Sequence, residues 1–231
     1  MRVRDDIVLA DTWVTSDSHF GHDNIVGFCH RPEDHDQVIL AEWRKVALPG
    51  RTMLHLGDLT YRSNARFKAL TSKELTGPGF ADRNFLIKGN HDGQRYSYYK
   101  DCGFKLARPF SLRLSALGDG FVPFEDAPWA PAYTISFSHY GWNDIEDGGP
   151  QPSNHWRLHG HIHNNGYQRS EFVPFLRNHI NLSVEQTGYR PVNLKALLDA
   201  AILGILPATQ ATEDGLAAEA RERSIERRRT V

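Results

Sequence analysis

The sequence predicts an α/β fold, and two observations carry that expectation. Short apolar runs alternate with stretches of helical character along the chain, as layered α/β domains do. Asp, Asn and His residues fall directly after five of those runs, the position at which open α/β sheets build their sites. The chain has 231 residues, which suits one main domain with a sizeable core, and 40% hydrophobic against 24% charged residues is an ordinary globular balance.

The expected strands are residues 12–16, 52–56, 84–88, 134–138, 156–158 and 179–183. Helices are expected over 36–46, where Val38, Ile39, Ala41, Trp43 and Val46 supply the apolar positions, and over 194–203. Residues 64–75 make a plausible further helix, ended by the breaker Gly77-Pro78-Gly79. Residues 112–124 read as a hairpin turning at Gly118-Asp119-Gly120, inside a Pro- and aromatic-rich segment, 112–133, that would shape a pocket or an oligomer contact. After Pro207 the composition shifts: residues 213–228 are rich in Ala, Glu and Arg and lead into Arg227-Arg228-Arg229. The chain therefore divides into a domain over 1–206 and a charged tail over 207–231, a solvated helix or a frayed end.

Composition narrows the function. A formal net charge of -1 gives no support to a broadly basic nucleic-acid surface. Cys29 and Cys102 cannot make a disulfide framework. The opening stretch carries Asp5, Asp6 and Asp11 and lacks a secretory apolar core, and no run approaches the roughly 18 apolar residues of a membrane span. The expectation is a soluble cytoplasmic protein with no membrane partner. The unusual figure is 12 histidines, since histidine is the commonest metal-binding side chain.

The five segments after the strands are Asp17-Ser18-His19, Gly57-Asp58, Gly89-Asn90-His91-Asp92, His139 and Gly160-His161-Ile162-His163. Carboxylate and amide oxygens mixed with imidazole nitrogens suit Mn, Fe, Zn, Ni or Co better than Ca or Mg. The scarcity of Cys argues against a structural zinc site. Glycines before Asp58, Asn90 and His161 allow sharp turns and close backbone approach. The i, i+2 spacing in Asp17-Ser18-His19 and His161-Ile162-His163 projects both side chains one way if the backbone is extended. His30, His35, His55, His155 and His179 read as structural or surface histidines.

D-x-H, G-D, G-N-H-D, a later His and G-H-x-H, in that order, resemble the calcineurin-like metallophosphoesterase superfamily. The wider strings TSDSHFGHDNI, FCHRP, LHLGD, IKGNHD, FSHYGW, LHGHIHN and NLSVEQTGYRPV are similar to the small phosphoesterases of bacteria and phages. The resemblance implies a two-sheet β-sandwich flanked by helices, with the site in loops along one edge. It implies two divalent metal ions, manganese foremost, with Fe, Zn, Ni or Co as alternatives. Asp17, His19, Asp58 and His163 would hold one; Asp58, Asn90, His139 and His161 the other, with Asp58 bridging. It gives His91 the role of general acid, with Asp92 orienting its ring, and lets His22 line the substrate pocket. Tyr61 would be a packing or pocket residue.

Protein phosphatases of that superfamily carry G-D-x-V-D-R-G and G-N-H-E, from which Gly57-Asp58-Leu59-Thr60-Tyr61-Arg62 and Gly89-Asn90-His91-Asp92 depart. The expected activity is hydrolysis of a small phosphodiester or nucleotide by a hydroxide held between the two cations. Nuclease or phosphomonoesterase action at the same site is the alternative, and a non-catalytic partner-binding scaffold a third. Nucleic acid is disfavoured as a partner by the near-neutral charge, and the oligomeric state is left open.

Overall fold

Ten strands form two five-stranded sheets in the computed structural model, which describes residues 3–61, 67–68, 83–93, 95–118, 120–141, 153–164 and 178–202. The first sheet runs β10 (Val192–Asn193), β1 (Thr12–Thr15), β2 (Thr52–His55), β3 (Arg83–Ile87), β4 (Lys105–Ala107). Strands β1 to β4 are parallel and β10 is antiparallel to β1. The second sheet runs β6 (Gly120–Pro123), β5 (Phe110–Leu117), β7 (Ala132–Phe137), β8 (His155–His159), β9 (His179–Asn181). It is antiparallel from β6 to β7 and parallel from β7 to β9.

Strand residues alternate between faces, so the register decides which side chains share a layer. Val14 pairs with Leu54 and Leu54 with Phe85, a row that joins Ile135, Phe137, Leu158 and Ile180 of the second sheet in one core. The opposite face, led by Trp13, Met53 and Leu86, packs against α2 (His35–Val46) and α3 (Tyr96–Asp101). Helix α2 buries Ile39, Leu40 and Trp43, an i, i+1, i+4 stripe facing the sheet. Burial on both faces explains why β1 to β3 read as continuous runs rather than alternating ones. Helix α4 (Leu194–Ala201) sends Leu194, Leu197 and Leu198 into the inter-sheet core and touches β1, β10 and β6, closing that edge. Asn193 caps it, its side chain accepting from the Ala196 amide at 3.1 Å.

All six expected strands are present with ends shifted by at most two residues. The hairpin is present as well, Leu117 pairing with Gly120 across a two-residue turn in which Gly118 has φ +63°. Of the helix expected over 64–75, only the helical residues 67–68 are described; the breaker at 77–79 and the 207–231 tail lie outside the described residues. The sequence reading omitted β4, β10, α1 (Ile25–Cys29) and α3. These hold three, two, five and six residues, too few for a period to declare itself. Among the described residues no helix is long and apolar enough to cross a membrane.

The two sheets meet at the carboxyl ends of their parallel strands. Ser16 bridges to Ser183 in parallel sense, and the Val184 amide donates to the Ser16 carbonyl at 3.2 Å. Every segment singled out above leaves a strand at this edge.

Candidate metal centre

The loop after β1 is tied to the loop after β2 by main-chain bonds: Asp17 N–H to Gly57 O at 2.9 Å, His19 N–H to Asp58 O at 2.9 Å and Phe20 N–H to Leu59 O at 3.1 Å. Asp17 reaches across to the second sheet, where both its oxygens accept from the His161 amide at 3.0 and 2.9 Å and one accepts from Ser183 Oγ at 3.2 Å. Close approach of this kind demands bare backbone. A Cβ on Gly160 would stand 1.9 Å from Asp17 Oδ2, and one on Gly57, at φ +119°, would stand 2.4 Å from His139 Nδ1.

The extended backbone expected for Asp17-Ser18-His19 and His161-Ile162-His163 is not found. Asp17 (φ 57°), His19 (φ 50°), His161 (φ 71°) and His163 (φ 49°) all have positive φ, as does Asp58 (φ 53°). Left-handed turning lets each loop fold back so that its amides bond the neighbouring loop while its side chains converge. Such conformations cost a non-glycine residue of order 1–3 kcal/mol each. Five of the seven positive-φ non-glycine residues among the described residues belong to this cluster, so the strain is concentrated here.

The structure brings all seven expected ligands together. Asp17, His19 and His163 offer one donor atom each, all within 4.8 Å of one another, and Asp58, His139 and His161 do the same. Asp58 Oδ2 lies 3.5 Å from His19 Nε2 and 3.4 Å from His139 Nε2, between the two groups. Asn90 Oδ1 is 3.2 Å from His139 Nε2, and His161 Nδ1 lies 3.2 Å from the same nitrogen. His163 Nε2 is 3.5 Å from Asp17 Oδ1.

The outer nitrogens settle which ring atoms point inward. His139 Nδ1 donates to the Leu56 carbonyl at 3.1 Å, which leaves the Nε2 lone pair facing the cluster. His163 Nδ1 faces the Glu185 carboxylate at 3.0 and 3.2 Å, leaving its Nε2 inward. His19 is buried, with neither ring nitrogen hydrogen-bonded among the described residues, and burial, then Arg31, hold it well below the ordinary imidazole range. A neutral imidazole with a free lone pair, backed by a fixed partner on the other nitrogen, is what a divalent transition ion needs. The donor set is therefore one that could hold metal ions.

Charge around the cluster is arranged accordingly. Burial alone would lower His163, but Glu185 and Asp17 outweigh it and raise its proton affinity well above the usual range. Burial would raise Asp58, but His139 and His91 together outweigh it and lower the carboxyl below its ordinary range. His163 is thus a position where a cation can replace a proton, and Asp58 one where a carboxylate is already ionised to receive it.

Two further residues hold this geometry. Arg31, fully buried, donates Nη1 to Ser18 O at 2.7 Å, Nη2 to Asp17 O at 2.6 Å and Nε to Glu185 Oε1 at 2.7 Å. Burial pushes Glu185 upward, but Arg31 and then His163 hold it well below the usual carboxylate range. One guanidinium thus fixes both the Asp17 loop and the carboxylate behind His163. Cys29, His163 and Glu185 form a third group of suitable atoms, yet Glu185 Oε1 is already shared by Arg31 and His163. The strings FCHRP and NLSVEQTGYRPV contain Arg31 and Glu185, but neither residue type points to a metal by itself.

His91 sits at the rim, its ring 4.9 Å from that of His19 and its amide donating to Asp58 Oδ1 at 2.8 Å. Asp92 does not orient that ring, contrary to expectation. Its buried carboxylate accepts from the amides of Asp58 (2.8 Å), Leu59 (3.1 Å), Thr60 (3.3 Å) and Gly89 (2.9 Å), and from Tyr99 OH (3.3 Å). The residue after His91 turns into the protein and shapes the Asp58 loop. Burial pushes Asp92 up to about 6 in spite of those amides. His22 lies beside the centre, its ring 5.4 Å from His19 and 5.8 Å from His91, with Tyr61 stacked on it at 4.1 Å. His55 is a scaffold residue, as expected: Gly57 N–H donates to its Nδ1 at 3.2 Å, its Nε2 faces Ser18 Oγ at 2.9 Å, and its ring stacks on Trp43.

No family model matches the chain. An uncharacterized protein of Methanocaldococcus jannaschii is 29% identical over 192 residues, covering 80% of this chain and 88% of that protein. The gene 66 protein of Mycobacterium phage L5 is 26% identical over 171 residues, 67% of this chain and 78% of its own length. Among solved structures, a protein of unknown function from Aquifex aeolicus aligns with a TM-score of 0.52 and 23% identity, covering 78% of this chain and 94% of that one. A Pseudomonas putida nuclease aligns at a TM-score of 0.33 and 16% identity over 67% of this chain and 62% of its own, too loose a likeness to carry an inference. The Aquifex likeness bears on the fold alone: this chain is a two-sheet α/β protein whose strand ends converge on groups of residues that could hold metal ions.

Proposed function

We propose that the chain is a metal-dependent phosphodiesterase that hydrolyses small phosphodiesters at a pair of divalent cations, manganese foremost. Asp58 carries the reading: one of its oxygens stands within 3.5 Å of His19 Nε2 and 3.4 Å of His139 Nε2, between two groups of ligand atoms. Asp17, His19, Asp58 and His163 would hold one cation, and Asp58, Asn90, His139 and His161 the other. Such a pair supplies Lewis-acid chemistry, acidifying a water and neutralising charge on the phosphoryl oxygens.

The chain's own residues do the rest. The Asp58 carboxylate keeps the two cationic sites close, and its second oxygen is fixed by the His91 amide at 2.8 Å. The His91 backbone is thereby held at the rim, where its side chain would serve as the general acid for the departing alkoxide. The Arg31 guanidinium is committed to Glu185 and to the Asp17 and Ser18 carbonyls, so it does not answer the second negative charge of a monoester.

The test is hydrolysis of bis(p-nitrophenyl) phosphate beside p-nitrophenyl phosphate by metal-stripped protein resupplied with manganese. The diester should be cleaved only with metal, and faster than the monoester. His91→Ala should lose about 10²–10⁴-fold in kcat, and Asp58→Asn should lose activity together with metal. Cleavage of DNA or RNA with the model diester untouched would transfer the proposal to a nuclease. Inactivity of folded protein with every divalent metal would leave a scaffold.

A further inference from the structure

A row of rings leads outward from the metal centre along one side. The His19 ring is 5.4 Å from His22, and His22 stacks on Tyr61 at 4.1 Å with their planes 26° apart. His91 borders both, 5.8 Å from His22 and 5.9 Å from Tyr61. Phe28 continues the row at 6.5 Å from His22, the planes opening by 43°.

Two observations distinguish this row from packing. Phe28 is 68% exposed on α1, a five-residue helix whose buried residues are Ile25 and Cys29. The helix is thus anchored without it, and a large ring held mostly in water contributes little to folding. The neighbouring surface is open too, since a Cβ on Gly27 would meet no atom within 4 Å. Independently, His22 is only 8% exposed, and its Nδ1 has no hydrogen-bond partner among the described residues. A buried polar atom left unpaired is costly unless something that binds there answers it.

We propose that Phe28, His22 and Tyr61 form a stacking ledge for a purine or pyrimidine joined through its sugar to the ester phosphate. Flat heterocycles stack on aromatic and imidazole rings whatever their sequence. Nδ1 of His22 meets a polar atom of the same ligand, between the base and the phosphate. The ledge runs past His91, so the base belongs to the arm of the diester that departs as the alcohol. This rests on the phosphodiesterase reading and narrows its substrate to nucleotide diesters. Free nucleotides and the ends of nucleic-acid strands share this chemistry.

The test compares two phosphates that differ in the base: adenosine 5′-monophosphate and methyl phosphate. Their binding to the manganese-loaded full chain is measured by calorimetry in wild type, Phe28→Ala and Phe28→Trp. Stacking of one base predicts that the nucleotide binds about tenfold tighter than methyl phosphate. That ratio should collapse in Phe28→Ala and persist in Phe28→Trp. Equal affinity for the two phosphates, a ratio unmoved by Phe28→Ala, or no binding of either would overturn the ledge. A short single-stranded oligonucleotide binding more tightly than the mononucleotide, with the same dependence on Phe28, assigns the ledge to strand ends; equal binding assigns it to free nucleotides. Hydrolysis of bis(p-nitrophenyl) phosphate on the same preparations reports separately on the phosphodiesterase reading. Loss of that activity with the ratio intact would sink the enzyme and leave the ledge.

Discussion

At the scale of single residues, the pair that holds the centre in shape is 154 positions apart in sequence: the Arg31 guanidinium lies 2.7 Å from Glu185 Oε1, with both side chains buried. Breaking such a pair leaves a charge in the interior without its partner. Arg31→Met should therefore cost about 3–5 kcal/mol of stability in urea unfolding of the metal-free protein. Glu185→Gln, which keeps shape but weakens the hold on His163, should lower manganese affinity by about 10–100-fold in calorimetry. Unchanged stability and affinity would mean that the ion pair is incidental. The convergence of the seven expected ligands was legible in the sequence because each belongs to a short local block after an apolar run. Arg31 and Glu185 were not, since a through-space ion pair leaves no spacing to read. Asp92 was misread for a related reason. Adjacency to His91 suggested a partnership, but neighbouring residues in a tight turn point apart, and its carboxylate serves the Asp58 loop.

At the scale of elements, the strands were legible and the loops that bear the expected ligands were only half so. Their position after each strand followed from the apolar pattern, and the glycines signalled close approach. The positive φ at Asp17, His19, Asp58, His161 and His163 did not, because no residue type except glycine announces it. Short elements such as β10 and α3 were lost for want of residues to form a period. The glycine reading makes a sharp prediction. Gly160→Ala places a methyl 1.9 Å from Asp17 Oδ2, so Asp17 must leave its place. The variant should keep its strands by circular dichroism yet bind fewer manganese ions per chain and lose diester hydrolysis. Full metal binding in folded Gly160→Ala would show that the contact is dispensable.

At the scale of the whole molecule, two sheets share one core and expose their carboxyl edges to a common site, so the fold carries many buried histidines. Burial lowers His55 to about 3, His179 to about 3 and His159 to about 4, each kept neutral inside the protein. Below about pH 6.5 the unfolded chain protonates these rings while the folded chain does not. The unfolded state then binds more protons, so stability falls as pH falls from about 6.5 toward 4. The urea midpoint of the metal-free protein should drop steadily between pH 7 and pH 4; a flat or rising midpoint would contradict the neutral assignments. The two-sheet division was expected through the superfamily resemblance. The pattern of apolar runs alone specified α/β layers, because parallel strands buried on both faces carry no mark of which sheet they join.

Manganese titration of the metal-stripped protein, read by electron paramagnetic resonance, bears most directly on the proposed sharing of Asp58 between two cations. Two manganese ions should bind per chain with a spin-coupled spectrum, and Asp58→Ala should abolish the coupling and lower the stoichiometry. One uncoupled ion per chain, or a coupled pair that survives loss of Asp58, would contradict it.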